Sequence, residues 1–260
     1  MKERATFSKR IRSGAAAIGT LITTGSAENA DVLAACGFDW LFLDCEHGAI
    51  DAAQAQLILQ VVGRRIPTII RVPENADVSL KKTLDLGCEG VIVPMVNTAD
   101  DARRAVTAAK YPPLGSRSAG IARAHGYGTE FASYVAEANT HTSVIIQIEH
   151  VRAVENVQEI LQVEGIDGVF IGPYDLSGSM NRLGDVTHPD VQAAIETTRV
   201  ACLEAQMPVG IFAMTTEAGV KAVQSGYAFV AVGIDTAMLA AAGRAIVTEF
   251  GRIGELAGTP

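Results

Sequence analysis

The chain has 260 residues, of which 48% are hydrophobic and 19% charged, and a formal net charge of −8 at pH 7. That length and apolar content suit one large core and exclude a disordered chain, and the acidic balance without a Lys/Arg cluster argues against nucleic acid or an anionic membrane as partner. Cys36, Cys45, Cys88 and Cys202 are far apart and form no C-x-x-C pair, which argues against a disulfide framework or a structural zinc site.

The basic start, MKERATFSKRIRSG, lacks the continuous apolar stretch of a signal peptide, and no later run is long and uncharged enough to span a bilayer. The sequence therefore predicts a cytoplasmic protein. Eight short apolar runs follow in order: AAAIGTLIT (15–23), FDWLFLD (38–44), IPTIIRV (66–72), GVIVPMV (90–96), SVIIQIE (143–149), GVFIG (168–172), PVGIFA (208–213) and YAFVAVG (227–233). Between them lie helical patterns such as SAENADVLAACG, NADVSLKKTLDLG and TADDARRAVTAAK, which open on Ser, Asn or Thr with early acids. Unbroken apolar strands alternating with helices predict an α/β fold, a single-domain TIM (β/α)8 barrel over residues 1–260, with a doubly wound sheet as the alternative. The longest gap, residues 97–142, must hold a helix and the extended stretch YPPLGSRSAGIARAHGYG.

Barrel enzymes carry their chemistry at the C-terminal ends of the strands, so the residues that close each run are the candidates. The second run closes on Asp44, Glu46 and His47, the third on Arg71, the fifth on Gln147 and Glu149, and the sixth on Gly172, Pro173, Tyr174 and Asp175. Glu149 and Asp175 come from neighbouring strands, where two carboxylates repel unless a proton or cation intervenes. A hard divalent ion such as Mg²⁺ or Mn²⁺, with Co²⁺ also admissible, would resolve that repulsion; the alternative is that each carboxylate caps the helix after it.

Asp44 precedes His47 by three residues and could orient its imidazole as a general base, the alternative being a histidine bonded to a neighbouring loop. Arg71 suits an oxyanion, or an ion pair with Asp44 or Glu46, and both can hold at once. The N–H groups of Tyr174 and Asp175, at a helix entrance, suit a substrate carboxylate. His125, His141, His150 and His188 are expected to be solvated, and Asp235 to cap the last helix. FAMTTEAG and VGIDTAML lack the glycine-rich loop of a barrel phosphate site, and no strand end supplies a Schiff-base lysine.

FDWLFLDCEHG, RVP, YPPLGSR, QIE and GPYDLSGS, in that order, resemble the class II pyruvate aldolases typified by 4-hydroxy-2-oxoheptanedioate aldolase, in the phosphoenolpyruvate/pyruvate barrel superfamily. The similarity runs from about Gly19 to Asp235. It implies a metal held by Glu149 and Asp175, Arg71 at the enolate oxygen, an Asp44/His47 dyad for proton transfer, and the pyruvate carboxylate on the backbone after Pro173. It implies a pyruvate enolate that adds to an aldehyde, or the reverse cleavage of a 4-hydroxy-2-oxo acid. It also implies a hexamer whose last helix packs on a neighbour, in keeping with the alanine-rich segment TAMLAAAGRAIVTEFGRIG, apolar on more than one face. Two departures, Ser118 after YPPLGSR and the SMNRLG continuation, fall where a second substrate or a partner subunit is expected to approach. Arg123 is the candidate for the distal end of the acceptor, with a surface or interface ion pair as the alternative. Oxaloacetate decarboxylation on the same site, and a non-catalytic oligomer that binds an oxo acid, are the competing functions.

Overall fold

The computed structural model describes residues 5–257, with side chains as far as Gly251; the first four residues of the basic start and the side chains at the end of the apolar C-terminal segment lie outside the described residues. Eight parallel strands close a barrel in sequence order: β1 Ala17–Ile22, β2 Trp40–Asp44, β3 Thr68–Arg71, β4 Gly90–Val93, β5 Ser143–Ile148, β6 Gly168–Ile171, β7 Val209–Ala213 and β8 Phe229–Ile234. Seven lie within the expected runs and β8 extends one residue past its run, and the doubly wound alternative is excluded by the β1–β8 pairing. Among the described residues no helix is long and apolar enough to cross a membrane.

Of the three helix starts read from the sequence, those on Ser and Thr are caps and the one on Asn75 is not. Ser26 accepts the Asn29 N–H ahead of α2 (Ala27–Ala35), and Asp51 forms a capping box with Gln54 ahead of α3 (Ala52–Val62). Thr98 accepts the Asp101 N–H ahead of α5 (Ala99–Ala109). Each such cap satisfies a backbone donor that the helix cannot, worth about 1 kcal/mol. The helix α4 (Asp77–Asp85) lacks a side-chain cap.

Inside the barrel a column of rings fills the axis. A short first helix, α1 (Phe7–Ile11), plugs the N-terminal end of the strands, its Phe7 ring 5.1 Å from Trp40 and 5.7 Å from Phe229. Trp40 then leans on Phe42, and Phe42 on Phe170 at 5.4 Å. Rings of this size fit because the wall is thin opposite them: a Cβ on Gly19 would lie 2.5 Å from the Trp40 indole, and one on Gly210 would overlap Phe229. Asp44 of β2, Arg71 of β3, and Gln147 and Glu149 at the end of β5 stand above this apolar column.

The gap at 97–142 holds more structure than the sequence suggests. After α5 come a 3-10 segment, Arg123–Gly128, and a further helix, α6 (Phe131–His141). The whole lobe sits at the N-terminal end of the barrel and is rigid for a physical reason. Arg117, 3% exposed, pairs with Asp85 at 2.8 Å and lies 4.6 Å over the Tyr111 ring. His125 is buried, not solvated as expected: its Nδ1 accepts the Gly128 N–H, and its other ring nitrogen lies 2.6 Å from the Gly120 carbonyl oxygen. His150 and His188 instead cap the helices α7 (Val151–Glu155) and α10 (Pro189–Glu204). Between those lie α8 (Val157–Leu161) and α9 (Pro173–Ser179), and α11 (Thr216–Gln224) follows β7.

The last helix, α12 (Asp235–Ala257), starts at the β8 end and leaves the barrel. From Thr236 to Gly251 every residue is exposed, with Leu239 at 71%, Val247 at 72% and Phe250 at 71%. Asp235 does more than begin this helix. One of its oxygens accepts the Thr23 N–H, the Thr23 hydroxyl and the Thr236 N–H, and the other accepts the Thr24 N–H and hydroxyl. Burial acts to raise its pKa, but these donors outweigh that and hold the carboxyl below its ordinary range. The carboxylate thus ties the end of β1 to the end of β8.

Candidate active site

The strand register brings the charged residues together. Asp44 on β2 is the cross-strand neighbour of Arg71 on β3, and both point into the C-terminal mouth. The Asp44 carboxylate, 1% exposed as a residue, receives Arg71 Nε at 2.9 Å and Nη2 at 2.7 Å, a two-point pair. Glu46 approaches the same guanidinium at 3.1 Å. Burial would lower the Arg71 pKa, but Asp44, Glu46 and Glu149 together keep it above its ordinary value. The guanidinium is a fixed positive charge, and its Nη1 has no hydrogen-bond partner among the described residues.

This arrangement corrects the expected Asp44/His47 dyad. The Asp44 carboxylate accepts the backbone N–H groups of Glu46 and His47, not the imidazole, and its other contacts go to Arg71. The physical reason is the tight turn at 44–47: it folds the backbone amides onto the carboxylate and sends the His47 side chain outward, 64% exposed. The carboxylate nearest the imidazole is Glu46, 3.8 Å from Nε2. Burial, opposed by Arg71, pushes the Glu46 carboxyl up to about 7.

Glu149, 3% exposed, accepts the Met95 N–H at 2.6 Å on one oxygen and the Gln147 amide on the other. Burial raises its pKa above the usual carboxylate range, and the nearby Asp175 adds to the rise. Neither acid caps the helix after it: α7 is capped by His150, and α9 has no side-chain cap. Met95 donates to Glu149 from a left-handed conformation, φ 54°, sparsely populated for a residue with a side chain. Sequence reading passed over Met95 because its contribution is a backbone N–H, and it treated Glu46 as an ion-pair partner alone. Gly172, whose Cβ would lie 3.1 Å from that of Glu149, leaves the floor of the mouth open. Pro173 opens α9 in its first turn with Tyr174 and Asp175, both exposed at the rim.

Asp44 and Glu46 thus engage one cation, Arg71, with Glu149 beside it and Asp175 near Glu149. The Gln147 carbonyl oxygen is buried beside them with no partner among the described residues. Among the described residues no three His, Cys, Asp or Glu side chains are grouped to hold a metal ion. A hard divalent ion needs only two carboxylates when water and substrate oxygens complete its shell, so the surplus of negative charge and the oxygen-only donor set fit one held by Glu149 and Asp175.

Arg123 is not part of this mouth, which corrects its expected contact with the acceptor. Its two terminal nitrogens donate to the carbonyls of Leu86, at 2.7 Å, and Leu59, at 3.0 Å, at the far end of the barrel. The Leu59 carbonyl also accepts the Gly63 N–H, whereas the Leu86 carbonyl, past the end of its helix, takes its donor from the guanidinium. Ser118 lies in the same lobe, far from this chain's own mouth.

A family model described as HpcH/HpaI aldolase/citrate lyase matches residues 19–242. The chain is 42% identical over 231 residues to a 2-dehydro-3,6-dideoxy-6-sulfogluconate aldolase of Pseudomonas putida, covering 88% of this chain and 90% of that protein. It is 40% identical over 249 residues to a 4-hydroxy-2-oxo-heptane-1,7-dioate aldolase of Shigella flexneri, covering 94% and 92%. Among solved structures, an HpcH/HpaI aldolase/citrate lyase family protein from Burkholderia cenocepacia J2315 superposes with a TM-score of 0.90 at 33% identity, over 94% of this chain and 98% of that one.

Proposed function

This chain belongs to the HpcH/HpaI aldolase/citrate lyase family and is a carbon–carbon lyase, and on that premise we propose that it reversibly cleaves a 4-hydroxy-2-oxo acid to pyruvate and an aldehyde with a divalent ion, Mg²⁺ or Mn²⁺, as cofactor. The observation that carries this reading is the Asp44–Arg71 pair set beside Glu149 in the mouth, with Nη1 of Arg71 left for a ligand. An ion held by Glu149 and Asp175 would act as a Lewis acid on the 2-oxo acid, easing loss of a proton from its methyl group.

The protein's own groups account for the remaining steps. Asp44 fixes Arg71, which donates to the oxygen that becomes negative as the enolate forms. The N–H groups of Tyr174 and Asp175 receive the substrate carboxylate, with Gln147 and Gly172 bounding the pocket below it. His47, with Glu46 as its nearest carboxylate, takes the methyl proton directly or through one water. In synthesis the methyl carbon loses that proton, a carbon–carbon bond forms to the aldehyde carbon, and the aldehyde oxygen gains a proton. Cleavage reverses each event.

The exposed apolar face of α12 supports a homo-oligomer in which this helix packs on a neighbouring subunit, a hexamer by the family resemblance. Light scattering that finds a monomer at micromolar concentration would contradict it.

The decisive experiment follows pyruvate methyl protons by NMR in D₂O with no aldehyde present. The wild type should exchange them, chelator should stop the exchange, and Mg²⁺ or Mn²⁺ should restore it. His47→Ala should slow exchange by roughly two to four orders of magnitude, the usual span of general-base catalysis. Full exchange in chelator would remove the metal from the reading, and undiminished exchange in His47→Ala would remove the base.

A further inference from the structure

The mouth has two unlike halves. The strand ends of β2, β3 and β5 supply Asp44, Arg71, Gln147 and Glu149. Across the barrel, Phe212 on β7, Ile234 on β8 and Leu21 on β1 belong to the apolar cluster that fills the barrel interior. Tyr174 stands at the rim beside them, its ring 6.2 Å from that of Phe212 and 37% exposed. Met214, two residues beyond Phe212, is 43% exposed. None of these side chains carries a charge, and the cation expected to meet the far end of the acceptor, Arg123, serves helix carbonyls at the other end of the barrel.

If Arg71, Glu149 and the N–H groups of Tyr174 and Asp175 hold the pyruvate unit, as proposed above, the wall this chain leaves for the second substrate is made by the side chains of Tyr174, Phe212 and Met214. A carboxylate or sulfonate at the tail of that substrate would be desolvated against the rings and Met214, in a mouth where Asp44 and Glu46 already engage the one arginine. An aliphatic tail would instead gain from burial on the same surface, about 0.8 kcal/mol per CH₂. We propose that the Tyr174–Phe212 ring pair is a specificity determinant that selects an uncharged aldehyde with an aliphatic chain as the acceptor.

A matched pair of four-carbon aldehydes tests this: butanal, and succinic semialdehyde, which carries a carboxylate in place of the terminal methyl. With pyruvate and the loaded enzyme, kcat/KM for butanal should exceed that for succinic semialdehyde by at least about tenfold, because the two share both methylenes and only the carboxylate must be desolvated against the rings. Tyr174→Ala and Phe212→Ala should each lower that ratio about fivefold or more, through a loss on butanal. Phe212 lies partly inside the barrel, so if its variant fails to fold, the rim variant Tyr174→Ala decides the matter. Wild-type preference for succinic semialdehyde overturns the proposal, as does a ratio unmoved by Tyr174→Ala. Pyruvate proton exchange without aldehyde is run alongside. Its absence in the wild type places the fault in the enolate reading, whereas exchange with a reversed aldehyde preference sinks the acceptor proposal alone.

Discussion

The two ends of the barrel both bury charge, and they treat it differently. At the N-terminal end Lys110, 4% exposed, donates to the carbonyls of Asn139 and Thr142 and pairs with Asp167 at 3.3 Å, and Arg117 is matched to Asp85. Arg123 there satisfies two helix carbonyls. At the C-terminal mouth one guanidinium meets the carboxylates of Asp44 and Glu46 with Glu149 close by, and two of these three acids are pushed up in pKa. A buried charge with a full set of partners holds the fold together, whereas a surplus of one sign leaves work for something absent from the chain. The contrast separates structural from chemical charge by compensation, since each end has buried charged groups at its centre.

The difference can be sharpened by breaking one pair at each end. Arg71→Lys keeps a positive charge but loses the fork that Asp44 holds, so pyruvate proton exchange should fall by about 10² to 10³ while the protein stays folded. Exchange within a few-fold of wild type would mean that the mouth needs only a point charge. Lys110→Met at the other end should cost about 3 kcal/mol in urea unfolding, because Asp167 and two carbonyls lose a buried partner. Exchange per folded molecule should not change, and a loss there would show that the two ends are coupled.

Arg123→Ala should cost about 1 kcal/mol for each of its two hydrogen bonds, and leave the aldehyde KM where it was. A raised KM with intact stability would restore Arg123 to the acceptor, reached across a subunit boundary. The smallest expected effect is on pH dependence. Glu46 ordinarily titrates at 4.5 and here near 7, so between those values the folded state holds the extra proton. Its contribution to stability therefore falls as pH rises from about 4.5 to 7 and is level above that. In metal-free protein Glu46→Gln should flatten this part of the unfolding-midpoint profile, and an unaltered slope would place the titration elsewhere.

The barrel was legible because parallel strands covered on both sides read as unbroken apolar runs, and each of the eight appears where such a run lies. The identities at the strand ends were legible for the same reason: the residue that follows the run stands at the mouth. What could not be read was direction within a turn. Asp44 and His47 have the right spacing for a dyad, but the 44–47 turn spends the carboxylate on amides and on an arginine 27 residues away. Arg123 and His125 lie within a stretch rich in Gly, Pro and basic residues, and composition does not say at which end of the barrel such a loop folds back. Met95 acts through its backbone, to which any residue type but proline has a claim.

The Asp235 carboxylate, finally, bears on the order in which the molecule is made. A closed barrel has one joint where the first strand meets the last, across the whole length of the chain, and the helix after the last strand usually covers it. Here that joint is closed by the β1–β8 ladder and fastened at its C-terminal end by one side chain reaching Thr23 and Thr24, and α12 turns away. Ring closure then does not wait for a second chain. Refolding should show a first-order phase that completes the barrel, followed by a slower phase whose rate grows with protein concentration as the free helices find their seats. Asp235→Ala should merge the two, since a joint without its latch must be held from outside.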